Sequence, residues 1–336
     1  DMVIRDWSSD VCSSDLFNPN ITTGYTARAM KSDRFARFRL NSLNAENVVT
    51  KKVTIPGQVD YEWVKDKVDN WATPISEDDY DEGEGDFHWE GLLYRPRDLF
   101  RVKVLGMFPK VDEDVLIPYE WIELANKRWA YFKEQGFTIT APATIGVDVA
   151  GMGRDASVLC YRYDNFVERF DSHQSGGKAD HMHIAGMLVN PLNKKRATAY
   201  IDTIGEGAGV FSRLQELGYL NAFSCKYSEG AHGLNDHTGV YTFANMRAYL
   251  YWAVRDWLNP KNGHNACLPP CDKLTEEATE IKWKFQSNGS IIIEAKEEIK
   301  KRLKRSTDYF DSLANTFYPH GVEGIIDERK ILSDFR

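Results

Sequence analysis

Three widely separated acidic stations constrain this chain more than any other feature. Asp148 closes the apolar run of ATIGVDVAGMGRDASVL, Asp202 closes that of RATAYIDTIGEGAGV, and Asp308 with Asp311 lies in RSTDYFDSLANTF. The first two runs read as buried strands and the third as a helix. A fold that gathers such carboxylates collects like charge where it is poorly solvated, so it needs a cation there. A divalent ion is the usual partner, and a pair of them is suited to cutting or joining phosphodiesters.

Length and composition leave room for this. The chain has 336 residues, enough for one large domain or two ordinary ones. Its formal net charge of -8 argues against a broadly basic nucleic-acid surface, while KKRLKR at 300–305 is a candidate local one. Five irregularly spaced cysteines give no disulfide framework, which fits a reducing, cytosolic setting. No apolar run is long enough to cross a bilayer, and the start lacks the regions of a signal peptide. Residues 6–16, DWSSDVCSSDL, resemble the translated read-through of a sequencing adaptor. Residues 1–16, Cys12 included, are therefore set aside, with the natural chain expected to continue upstream.

From 17 to 140 the pattern is a loop with Asn-Pro and Gly signals (FNPNITTGY), a strand (VVTKKVTIPG) and a helix (YEWVKDKVDNW). An acidic loop at 78–86, a strand (LFRVKVLGMF) and a helix behind Pro118 follow. A boundary falls in GFTITAPA at 136–143. After it, ATIGVDVA, DASVLCYRY and NFVERF read as three antiparallel strands, then DHMHIAGMLVN as a helix and RATAYID as a strand. GAGVFSRLQELG is a helix ending on Gly218, NAFSCKYS a strand, and ANMRAYLYWAVRDWL an amphipathic helix. CDKLTEEATEIKW is a further helix, a hairpin turns at Asn288-Gly289, and two helices over 296–318 close the domain.

Each candidate has a plain structural alternative. Asp148 is either a metal ligand projecting from the middle of a central strand or a surface aspartate in a turn; Asp155 reads first as a turn aspartate bonding its own backbone. Asp202, at a strand's carboxyl end before a Gly-rich turn and a helix, stands where α/β sheets place ligand chemistry. Glu206 suits the helix dipole and is only secondarily a ligand. Asp308 and Asp311 share one helix face; Asp308 also suits the helix start, where Ser306 or Thr307 caps, whereas Asp311 sits among apolar neighbours. His264, Cys267 and Cys271 are a weak zinc pattern. His181 and His183 read as ordinary, and Tyr251, Trp252 and Trp257 as core. Lys226 and Lys304 are candidate phosphate contacts.

Taken together, GVDVAGMGRDASV, YIDTIGEGAGVFSRL, FANMRAYLYWAVRDWL and RSTDYFDSLANTF resemble the large subunit of tailed-phage terminases, over about 17–319. The last segment resembles that family's Ser-Pro-Asp…Asp-Ala-Leu helix, with Thr307 for Pro and Ser312 for Ala. The resemblance implies an α/β fold: a ribonuclease-H-like mixed sheet flanked by helices (141–319), preceded by an incomplete P-loop ATPase remnant (17–140) and followed by a tail (320–336). It implies an endonuclease for concatemeric double-stranded DNA, with Asp148, Asp202, Asp308 and Asp311 holding Mg2+ or Mn2+. Portal protein and terminase small subunit are the implied partners, a ring the implied assembly and the host cytoplasm the implied location. No Gly-x-x-x-x-Gly-Lys-Ser/Thr occurs in the chain, so ATP is not an expected ligand. The rival expectations are a junction resolvase or transposase of the same fold, or a non-catalytic docking module.

Overall fold

The computed structural model describes residues 29–30, 36–108, 115–136, 139, 142–151, 155–174, 176, 180–193 and 197–319. The adaptor-like segment, FNPNITTGY, residues 152–154 and the stretch 320–336 lie outside them. The chain divides into two compact units: Asp1–Lys127 with Pro270–Lys282 and Ala295–Arg305, and Arg128–Pro269 with Trp283–Glu294 and Ser306–Arg336. Among the described residues no helix is long and apolar enough to cross a membrane.

The first unit opens with α1 (Glu46–Val49), α2 (Tyr61–Trp71), β1 (Ala72–Ile75), β2 (Phe87–Trp89), β3 (Leu92–Pro96), α3 (Asp98–Lys103) and α4 (Tyr119–Glu134), whose last turns belong to the second unit. The three strands form an antiparallel sheet in the order β1-β3-β2, which the sequence reading did not foresee. VVTKKVTIPG, expected as a strand, instead supplies the end of α1 and a loop. Buried Asn47 organises that loop: its Oδ1 accepts from the N–H groups of Thr54 and Ile55 at 2.8 Å, and its Nδ2 donates to the Ile55 carbonyl at 2.8 Å. A side chain thus satisfies backbone groups that a partner strand would otherwise serve. LFRVKVLGMF, also expected as a strand, folds into α3 and a turn. Leu99, Phe100, Val102, Val104 and Leu105 are all buried, so this short run carries no clean period to separate helix from strand.

The acidic stretch 78–86 is a loop, as expected. Its anchor is Asp86, whose carboxylate receives Arg95 Nε at 3.0 Å and the Asp81 N–H at 2.9 Å. Burial pushes the Asp86 carboxyl up, but those donors outweigh it and hold the group below its ordinary value.

The second unit is built on β4 (Ala143–Asp148), β5 (Ser157–Tyr163), β6 (Phe166–His173), α5 (His181–Asn193), β7 (Ala197–Asp202), α6 (Gly207–Glu216), β8 (Ala222–Cys225) and α7 (Met246–Leu258). The five strands form one mixed sheet in the order β6-β5-β4-β7-β8. Three are antiparallel neighbours, and β4, β7 and β8 run parallel. The expected elements over 143–258 are all present. Alternation along the strands sorts side chains to two faces. Ile145, Val147, Ala199 and Ile201 join the core that α5 and α6 cover. Gly146, Cys160 and Cys225 lie on the opposite face.

The chain then runs through α8 (Asp272–Glu280), the hairpin β9 (Trp283–Phe285) and β10 (Ile291–Ile293), α9 (Lys296–Leu303) and α10 (Asp308–Asn315). Helices α8 and α9 belong to the first unit. There Glu276 and Glu277, both buried, pair with Arg97 and Arg305, and Arg302 reaches Glu280 at 3.4 Å. The two arginines of KKRLKR are therefore committed to ion pairs within the unit, while Lys300 and Lys301 are exposed. Lys304 donates to the Asp69 carbonyl at 3.3 Å within the same unit.

Candidate active site

Parallel pairing places the first two stations side by side. Gly146 is opposite Tyr200 and Val147 opposite Ile201, so Asp148 and Asp202 come next, at the carboxyl ends of adjacent strands and on one face. Strand spacing of about 5 Å at an effective dielectric near 20 gives roughly 3 kcal/mol of repulsion between two ionised carboxylates. Asp148 closes β4 instead of projecting from mid-strand, and opposes Val158 on β5.

Helix α10 supplies the third station by packing on that same face. A Cβ on Gly146 would fall 1.9 Å from the Ser312 carbonyl oxygen, so the helix backbone lies directly on β4. Asn315 Nδ2 donates to the Val147 carbonyl at 2.9 Å, and Cys225 Sγ meets Asn315 Oδ1 at 3.4 Å. At the other end of the helix, Asp308 Oδ2 accepts the Ala156 N–H at 3.0 Å. Ala156 lies just before β5, two residues from the Val158 that opposes Asp148. Asp148 and Asp202 thus close adjacent strands, and Asp308 is bonded to the residue that leads into β5 beside Asp148.

Asp308 and Asp311 differ in surroundings. Asp308 is 8% exposed and Asp311 2%. Both oxygens of Asp311 accept side-chain hydroxyls, one from Tyr251 and the other from Thr307 Oγ1 at 3.0 Å. Thr307 is the N-cap residue by position, yet its side chain makes no capping bond, because it is given to Asp311.

Glu206 stands immediately before α6, and its Oε2 is 2.7 Å from His181 Nε2. Gly151, three residues beyond Asp148, approaches the same side chain, with a Cβ position 3.4 Å from Glu206 Oε1. The ring of His181 occupies the space that a side chain on Gly209 would fill. His181 is therefore a partner of the edge carboxylate, and His183 stacks on His173 at 4.1 Å. Asp155, half-buried, adjoins the Ala156 contact of Asp308.

Glu229, in the irregular segment after β8, escaped the sequence reading. With Asp202 and Asp311 it adds to the burial that pushes the Cys225 thiol up. Tyr318 Oη donates to it at 3.3 Å, and Lys226 Nζ lies 3.5 Å away. No motif marks it, since only the chain's return toward Met246 brings it here.

A second cluster also escaped: Asp236, His237 and Asp256 present ligand atoms within 4.8 Å of one another. They line a cavity of about 520 Å³ with Arg162, Trp257 and Phe317. Arg162 pairs with Thr144, at the end of β4 away from Asp148, so this cavity lies apart from the strand-end acids. Asp236 already accepts from the N–H groups of Thr238, Val240 and Tyr241, which explains it as a loop anchor. The zinc pattern does not assemble around its cysteines: Cys267 Sγ turns to the Asn265 carbonyl at 3.4 Å, and His264 lines the cavity.

Asp148, Asp202 and Asp308 offer only hard carboxylate oxygens, a donor set that suits Mg2+ or Mn2+. The neighbouring thiol of Cys225 is kept protonated by burial and is no rival ligand.

No family model and no curated protein matches the sequence. Among solved structures, the chain is similar to the nuclease domain of the large terminase subunit gp2 of bacterial virus Sf6. The TM-score is 0.51 at 22% identity, over 61% of this chain and 99% of that one. The K428A mutant of that domain with manganese and beta-thujaplicinol gives the same values. The large terminase nuclease of thermophilic phage G20c aligns at a TM-score of 0.35 and 13% identity, over 54% of this chain and 83% of that one. What the chain shares with the Sf6 domain is the fold, a mixed α/β sheet flanked by helices.

Proposed function

We propose that the second unit is a divalent-metal-dependent nuclease that cuts double-stranded DNA during phage genome packaging. The observation that carries this reading is the placement of Asp148 and Asp202 at the ends of adjacent parallel strands, with α10 packed on that face and its Asp308 bonded beside β5. The fold likeness to the Sf6 nuclease domain supports it, and one structure of that domain contains manganese.

Asp148, Asp202 and Asp308 hold the ions, with Asp311 in the same helix turn and Asp155 and Glu206 as secondary candidates. Bound Mg2+ or Mn2+ supplies an activated water and neutralises charge on the leaving oxygen. Rigid seats on β4, β7 and α10 keep the carboxylates from relaxing, so that ions held there would meet the reacting phosphate in one fixed place. The finer features follow the terminase resemblance. They are a ribonuclease-H-like nuclease domain over 141–319, residues 17–140 as the C-terminal part of an ATPase domain, and cleavage of concatemers. Docking to portal and small subunit, a ring assembly and action in the host cytoplasm belong to the same reading.

The test is linear plasmid incubated with the full chain and Mn2+, beside Asp148→Asn. The reading predicts cutting that needs the metal and disappears in the variant while the thermal transition stays in place. Wild-type cutting by Asp148→Asn would refute the assignment.

A further inference from the structure

Helix α7 presents Arg247 and Tyr251 one turn apart; Tyr251 bonds Asp311 on α10, and Arg247 feels its charge. The Tyr251 hydroxyl bonds one Asp311 oxygen, while the Arg247 guanidinium lies 4.8 Å from the Tyr251 ring centre. Thr307 Oγ1 bonds the other oxygen at 3.0 Å, and the Asp311 N–H returns to the Thr307 carbonyl at 2.8 Å. Tyr227 Oη donates to the Asp311 carbonyl at 3.1 Å. A carboxylate 2% exposed would be costly alone. Here two hydroxyl donors and a nearby cation offset that cost.

Every one of these bonds restrains the first turn of α10, where Asp308 sits between Thr307 and Asp311. We propose that Tyr251 and Asp311, with Thr307, are positioning residues that orient Asp308, and that Asp311 is not itself an ion ligand. This division of labour rests on the nuclease reading and deepens it. Supporting groups of this kind are worth about ten- to a hundredfold in activity at other metal sites.

The full chain tests it as wild type, Asp308→Asn, Asp311→Asn, Tyr251→Phe and the Tyr251→Phe/Asp311→Asn double variant. Three readouts are taken: Mn2+ affinity by calorimetry, kcat and KM for Mn2+-dependent cleavage, and the melting temperature. Asp308→Asn loses Mn2+ affinity. Asp311→Asn and Tyr251→Phe keep it, while their kcat falls about ten- to a hundredfold at nearly constant KM. The double variant melts no lower than the worse single one, because both break the same bond. Loss of Mn2+ affinity in Asp311→Asn equal to that in Asp308→Asn overturns the proposal, as does wild-type kcat in Tyr251→Phe. If the wild type cuts nothing, the nuclease reading fails separately. The melting cycle then decides the clamp, and additive effects defeat it.

Discussion

Replacing Gly146 by alanine probes how tightly α10 is seated on the sheet. The added Cβ would lie 1.9 Å from the Ser312 carbonyl oxygen and 2.9 Å from both the Thr316 nitrogen and its Cγ2. A carbon needs about 3.2 Å from an oxygen, so helix and strand must part by roughly 1.3 Å, an overpacking strain of about 1–3 kcal/mol. The lost flexibility of the unfolded chain returns only about 0.4–1 kcal/mol. The net of roughly 1–2 kcal/mol lowers the melting temperature by about 2–8 °C in a unit of this size. The same displacement moves Asp308 by about 1 Å, which costs on the order of a hundredfold in rate. Calorimetry and Mn2+-dependent cleavage, both at a temperature where the variant is folded, read the two effects. Unchanged melting together with wild-type cutting would refute the packing argument. Lower melting with unchanged cutting would show that α10 does not carry a functional carboxylate.

Other outcomes follow from the same geometry. Asp86→Ala removes the acceptor of Arg95 and of the Asp81 N–H, and destabilises the first unit by about 2 kcal/mol at pH 7. Because the Asp86 carboxyl is held below its ordinary value of 3.8, its contribution is fully present above that pH and is lost as pH falls through the lower folded value. Wild type and variant should therefore converge in urea melts at strongly acid pH, and a gap that stays constant would contradict this. Cys160 and Cys225 are buried with their thiols pushed up, so thiol reagents should modify them only on unfolding; fast labelling of the native chain at either would contradict the packing. Arg305→Met leaves Glu277 buried without its partner and should destabilise by about 3 kcal/mol, whereas DNA binding should not change. Weakened DNA binding would place Arg305 on a basic surface instead.

The second unit was legible because its strands are well separated by turn signals, and its helices have clear apolar faces. The positions of Asp148 and Asp202 followed from where those apolar runs stop. Their neighbouring register could not be read, since it depends on which strands pair. The first unit misled at LFRVKVLGMF, where Leu99, Phe100, Val102, Val104 and Leu105 are all buried, and at VVTKKVTIPG, where one buried amide replaces a strand partner. At KKRLKR the sequence could not show that Arg302 and Arg305 have acidic partners in α8. Glu229 and the Asp236 cluster were invisible for a related reason: irregular segments bring them into place, with no periodicity to announce it.

Diffraction from crystals soaked in Mn2+, recorded at the manganese absorption edge, addresses the central claim most directly. The account predicts anomalous density between the carboxylates of Asp148, Asp202 and Asp308. Density only at Asp236, His237 and Asp256, or none at all, would contradict it.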